Sequence, residues 1–144
     1  LPPLSSARVG RFSDAQLLGR ADPKRNFAVF ELLDGERLLS RQLVFFDAAK
    51  HLALPAAQVR SEWKADGDGF ALALSSDALA REVWLSFGDL DVHVSDNAFD
   101  LLPGEPLTVR VQGQARLEQL RAALQVRDLA STLAGAPAEP AEAQ

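Results

Sequence analysis

Val92–Glu105 reads VHVSDNAFDLLPGE. Alternating apolar stretches flank it, Glu82–Phe87 (EVWLSF) and Pro106–Val111 (PLTVRV). That setting predicts a connection between strands of an all-β domain. Ser95, Asp96 and Asn97 are residues that bond nearby backbone and set a local turn, with Asp96 as its expected cap. Phe99, Leu101 and Leu102 are large and apolar, so this connection must fold back onto the sheet. Pro103-Gly104 suits the two central positions of a type II turn, where Pro presets φ and Gly supplies φ > 0. The segment Asp96, Asn97, Phe99, Leu101, Pro103 and Gly104 is therefore read as a structural clamp.

Working outward, strand signals recur at short spacing. Phe27–Leu33 and Arg37–Phe46 flank Asp34-Gly35, a strong hairpin signal. Val59–Ala65 alternates, with Val59, Ser61 and Trp63 on the inward face. Asp66-Gly67-Asp68-Gly69 turns the chain into a strand carrying Phe70, Leu72 and Leu74. Val83, Leu85 and Phe87 share one face of the next, with Trp84 out of phase and pointing away. Leu107, Val109 and Val111 mark another strand, and Leu124–Leu129 the last. Leucines at 117, 120 and 124 have helical spacing, which predicts one short helix near the C-terminus. The fold class expected is an antiparallel immunoglobulin-like β-sandwich of about seven strands.

The expected organisation is a linker over residues 1–24, a sandwich over 25–133 and a disordered Ala/Pro/Glu-rich tail over 134–144. Within the linker, Asp14–Arg20, DAQLLGR, allows one helical turn capped by Asp14. A chain of 144 residues can hide about two-thirds of its unfolded surface in one core. With no cysteine there is no disulfide and no thiolate metal site, so packing alone must hold the fold. A net charge of −5 argues against nucleic acid as a partner. No apolar run is long enough to span a membrane as a helix, so no membrane partner is expected. The start at Leu1 without Met, and without a signal peptide, is read as a fragment excised from a longer protein.

The Ser95–Glu105 stretch SDNAFDLLPGE, followed by PLTVRVQG over Pro106–Gly113, resembles the closing strands of the C-terminal immunoglobulin-like domain of β-mannosidases. These are glycoside hydrolases of the family that includes β-galactosidase and β-glucuronidase. The resemblance extends upstream to Phe30–Pro55, FELLDGERLLSRQLVFFDAAKHLALP, as that domain's first hairpin. Downstream, Leu117–Leu133, LEQLRAALQVRDLASTL, is similar to its final helical piece and last strand. Coverage is roughly Phe27 to Leu133. One departure is Ala98, where a bulkier residue is expected beside Phe99. The resemblance implies a non-catalytic domain of a bacterial enzyme that removes terminal β-mannose from mannan-derived oligosaccharides. Its partner would be the (β/α)₈ catalytic barrel of the same parent chain. That barrel carries the family's catalytic pair, so no catalytic residue is carried over.

The residues themselves agree. His51 and His93 each lack a neighbouring His or Cys, so both read as surface or strand-end residues before metal ligands or bases. Asp89, Asp91, Asp96 and Asp100 could surround Ca²⁺, but turn capping explains them equally. The Asp66–Gly69 turn lacks the later bidentate Glu of a calcium loop. No cofactor or metal is expected. Glu31, Glu36, Glu62, Glu82, Glu105 and Glu118 alternate with Arg and Lys and read as solvated faces. No paired carboxylates of a glycosidase are legible. Trp84 leaves two alternatives: a contact with a neighbouring domain, or a platform for mannan oligosaccharides in an accessory carbohydrate-binding module. The chain has no Tyr and only two Asn, Asn26 and Asn97, which disfavours a sugar site. A third alternative is an adhesion-type sandwich that binds protein through an edge strand.

Overall fold

A computed structural model describes residues 4–134. The Ala/Pro/Glu-rich stretch expected to be disordered lies, apart from Ala134, outside the described residues. The chain divides into two compact units, residues 1–53 and 54–144.

In the first unit, the Asp34-Gly35 signal makes the predicted hairpin. Strand β1 (Phe27–Asp34) pairs antiparallel with β2 (Arg37–Phe45), and Gly35 sits at φ +60° in the turn. A bulge between Leu32 and Leu33 shifts the register near the tip. Helix α1 (Asp14–Leu18) forms where one turn was expected, but its cap is Ser13 rather than Asp14. The reason is Gln16: its side-chain oxygen accepts the Ser13 N–H at 2.8 Å while Ser13 Oγ accepts the Gln16 N–H. That reciprocal pair is a capping box, which Asp14 is one residue too late to make.

In the second unit, seven strands form two sheets: β3 (Val59–Asp66), β4 (Gly69–Ser76), β5 (Ala80–Ser86), β6 (Val92–Val94), β7 (Phe99–Leu101), β8 (Leu107–Gly113) and β9 (Gln125–Arg127). The four-stranded sheet has the order β3-β4-β8-β6 and the three-stranded sheet β7-β5-β9; the named pairings in both are antiparallel. Of the residues that alternation placed inward, Val59, Leu72, Leu74, Val83, Leu85, Phe87, Val109 and Val111 are buried, while Ser61, Trp63, Phe70 and Leu107 are half-buried. Leu72, Leu74, Val109 and Val111 face inward from one sheet, and Val83, Leu85, Leu101 and Val126 from the other. Trp63 bridges the sheets, edge-on to Phe70 and to Phe87, each at 6.3 Å between centroids. This is an immunoglobulin-like β-sandwich.

Two expectations need correction. The sandwich begins after Ala53, not at residue 25: residues 1–53 form a compact unit of their own, and among the described residues β1 and β2 make a separate two-stranded sheet. Turn signals are local, so they reveal a hairpin without revealing which core it belongs to. The last strand is three residues long, not Leu124–Leu129. Helix α2 (Leu117–Ala123) precedes it, with Leu120 and Leu124 buried as the leucine spacing requires. Helix α3 (Leu129–Ala134) follows it and was not expected. Its signal is Asp128-x-x-Ser131: Asp128 Oδ1 accepts the Ser131 N–H at 2.7 Å, and Ser131 Oγ accepts the Asp128 N–H at 3.0 Å.

Candidate functional site

Val92–Glu105 is more than a connection. It carries two strands that belong to different sheets: β6 pairs with β8 and β7 pairs with β5. Ser95–Ala98 crosses between them. A segment that changes sheets must satisfy its backbone without a continuous ladder, and its side chains are spent on that.

Ser95 stays with the first sheet. Its N–H donates to the Arg110 carbonyl and its Oγ accepts the Arg110 N–H, both at 2.9 Å. Asn97 joins the second. Its Oδ1 accepts the Leu85 N–H at 2.8 Å, and its Nδ2 donates to the Leu85 carbonyl at 3.0 Å. The side-chain amide thus adds one rung to the β5–β7 ladder beyond Val83 and Phe99. Asp96 accepts only the next N–H, that of Asn97, at 2.8 Å. Ser95, expected to make a local turn, instead reaches backbone 15 residues away, whereas Asn97 does bond its neighbour, its Oδ1 accepting the Ala98 N–H at 3.1 Å, and reaches Leu85 as well, 12 residues away.

Ala98 sits at φ +60° and is exposed. The bulky residue expected there would be strained in that left-handed conformation. Phe99, Leu101 and Leu102 are buried in the core, as expected. Between Ala80↔Leu101 and Val83↔Phe99, β5 has two residues facing one on β7, a β-bulge. Asp100 serves it: Oδ1 accepts the N–H of Glu82, whose φ is +51°, at 2.8 Å. The guanidinium of Arg81 lies 3.8 Å from the same carboxylate. Pro103-Gly104 makes the predicted turn, with the Glu105 N–H donating to the Leu102 carbonyl at 3.2 Å and Gly104 at φ +75°. The Gly104 N–H ties it to the Ser76 carbonyl at 2.9 Å.

Trp84 points off the outer face of the three-stranded sheet, opposite Arg127, and is 53% exposed. A separate open groove of about 460 Å³ lies over β3 and β4, lined by Arg60, Glu62, Ser75, Asp77, Gly104 and Pro106 among others. Its described lining holds no aromatic ring on which a sugar could stack. Trp84 does not line it, so the candidate platform and this groove are apart.

The acidic residues are scattered by role. Asp68 lies 2.7 Å from the Arg110 guanidinium, which, with a backbone N–H, holds its carboxyl below the ordinary range. In the first unit the Ala48 N–H, then His51 at 3.1 Å, hold the Asp47 carboxyl low. Asp89, Asp91, Asp96 and Asp100 form no metal cluster among the described residues. His93 lies on β6, exposed. No described helix is long and apolar enough to cross a membrane.

The chain is similar to known proteins in two ways. Residues 54–132 match the family model of the mannosidase Ig-fold domain, and residues 1–51 that of a mannosidase Ig/CBM-like domain. Among solved structures it is similar to the β-D-mannosidase of Dictyoglomus thermophilum, at TM-score 0.67 and 24% identity over 78% of this chain. At that identity the likeness is one of fold. The chain spans 14% of that enzyme's length. No curated protein matches.

Proposed function

The chain belongs to the family of mannosidase Ig-fold domains, and from that premise we propose that it is the non-catalytic C-terminal region of a longer β-mannosidase. In this reading the parent enzyme removes terminal β-mannose from mannan-derived oligosaccharides, and the sandwich supports its catalytic barrel. The family match over residues 54–132 is the observation that carries it. The side-chain chemistry supports it. A retaining glycosidase needs two carboxyl groups about 5–5.5 Å apart across a sugar pocket. Here Asp100 accepts the bulge N–H, Asp128 caps a helix, Asp68 pairs with Arg110 and Glu31 with Arg41. Polar groups spent on holding backbone suit a support, not a reaction centre.

The purified 144-residue chain should hydrolyse no chromogenic β-mannoside, while the full natural polypeptide should. Turnover by the short chain above a heat-killed control overturns the proposal. The exposure of Trp84 favours one rival, a carbohydrate-binding module. If Trp84 instead meets a neighbouring domain, mannan oligosaccharides at millimolar concentration should give no saturable fluorescence shift. A saturable shift that disappears in Trp84→Ala makes the module the better reading.

A further inference from the structure

The two outer faces of the sandwich differ in kind. On the four-stranded sheet, alternation turns Arg60, Glu62 and Lys64 of β3 and Arg110 of β8 outward, all of them exposed. That face is charged and suits water. Among the described residues of the second unit, two large apolar side chains are exposed, Trp84 at 53% and Leu133 at 62%. Both belong to the other side. Trp84 lies on β5, the middle strand of the three-stranded sheet, and Leu133 on α3, which contacts β5. Opposite Trp84 across the strands is Arg127. It is exposed and makes no ion pair among the described residues, whereas Arg81 lies near both Glu82 and Asp100. The backbone just before Trp84 is irregular: Glu82 holds a left-handed φ of +51° in the bulge, fixed by the bond from its N–H to Asp100. Bulges re-aim the side chains beside them, and such strained residues gather at functional surfaces.

We propose that the outer face of the three-stranded sheet is a docking surface for a folded part of the parent polypeptide outside these 144 residues, with Trp84 as its anchor and Arg127 as its ionic contact. The partner surface is an apolar hollow that takes the indole, edged by a carboxylate that meets the guanidinium. Three observations select that occupant. Trp and Arg are the residues on which protein interfaces concentrate their binding energy, and here they are cross-strand neighbours. The cation of Arg127 calls for an acidic partner, which a neutral sugar does not offer. The chain spans 14% of the similar enzyme's length, so most of a polypeptide of that kind is available to cover the face. The inference rests on the reading that these residues belong to a longer β-mannosidase.

Hydroxyl-radical footprinting, read by mass spectrometry, tests it on the 144-residue chain and on the full natural polypeptide. Trp84 should be oxidised on the order of tenfold more slowly in the full polypeptide, because an anchor at the centre of an interface is desolvated. Arg127→Glu in the full polypeptide should return Trp84 to the short chain's rate, and Arg127→Lys should keep most of the protection. Neither substitution should move the sandwich's melting midpoint in the short chain, where Arg127 is exposed. Equal oxidation of Trp84 in the two wild-type proteins overturns the proposal. So does slower oxidation in the short chain with millimolar mannan oligosaccharides, which makes the face a sugar platform. Slowing of the short chain's Trp84 with concentration, alongside a dimer in sedimentation, overturns it too and makes a second copy the cover. Mannoside hydrolysis by the full polypeptide is scored separately. An active enzyme with Trp84 unprotected sinks this inference alone, and an inactive one with Trp84 protected sinks only the enzyme reading.

Discussion

Removing the amide of Asn97 leaves the N–H and the carbonyl of Leu85 without their partners beside the core. Each stranded group costs about 1–3 kcal/mol, so Asn97→Ala should destabilise the sandwich by at least 2 kcal/mol or so in urea titration. Asn97→Asp separates the two bonds: it can still accept from Leu85 N–H but sets a carboxylate against the Leu85 carbonyl. It should recover little; full stability in Asn97→Asp would show that the bond to the carbonyl contributes nothing. Phe99 is a packing residue, and Phe99→Ala should cost roughly 3–5 kcal/mol, the range for a buried large aromatic. A melting point within a degree or two of wild type would place it outside the core. Between them, Ala98 bears a left-handed φ that costs a residue with a Cβ about 1–2 kcal/mol. Ala98→Gly relieves that strain but adds freedom to the unfolded chain, so it should raise stability by no more than about 1 kcal/mol. The apolar and turn roles of this segment were legible because burial and the Pro-Gly pair have sequence signatures. The reach of Asn97 to Leu85 was not. An Asn reads the same whether it bonds only its neighbour or, as here, a strand 12 residues away as well.

The count of seven strands was right for the sandwich, but two of its members were not. Counting along the sequence takes in β1 and β2, which belong to the first unit, and omits β6 and β7. Strands of three residues have too few alternations to stand out from a loop, and VHV and FDL are that short. Their existence follows from pairing partners, which only the folded chain supplies. The turns were easier, because each requires a residue type, and they separate two costs of adding a methyl group. Gly104 has φ +75° with open space around a would-be Cβ, so Gly104→Ala should cost about 1 kcal/mol of conformational strain. Gly69, at the start of β4, would place that Cβ 2.6 Å from the Val111 carbonyl oxygen of β8. Backbone must shift there, and Gly69→Ala should cost more, about 1–3 kcal/mol. Equal losses in the two variants would show that β4 and β8 are looser at this end than their register implies. At the same turn Arg110 faces Asp66 and Asp68. The Asp68 carboxyl titrates lower folded than unfolded, so its contribution is present above the ordinary carboxylate pKa and fades as pH falls through the folded value. The melting difference between wild type and Asp68→Asn should be small at neutral pH, since the pair is exposed, and should vanish in acid. A difference that grows toward acid would have the wrong sign for this pair.

At the scale of the whole molecule, composition and alternation disclose a β-sandwich, but not where it begins. Both units carry strands of similar hydropathy, and a sequence pattern does not say which apolar residues share a core. Burial does. Every buried hydrophobic among the described residues lies between Val59 and Val126. The first unit has a hairpin, a five-residue helix, tilted ring pairs Phe12–Phe30 and Phe27–Phe45 at 5.7 Å, and no buried residue among those described. Cooperative unfolding draws its enthalpy and its denaturant sensitivity from surface removed from water. The main transition of the 144-residue chain should therefore belong to the second unit. A fragment of residues 54–144 should fold alone and melt within about 2 °C of the whole chain, a shift below that of 1 kcal/mol in a domain of this size. The urea m-value should fall only slightly, because little of the surface lost with residues 1–53 was buried. Residues 1–53 made alone should show no cooperative transition by circular dichroism. A fragment 54–144 that fails to fold, or one that melts many degrees lower, would mean that the first unit is part of the sandwich's stability. The boundary between Ala53 and Leu54 would then divide a single cooperative structure.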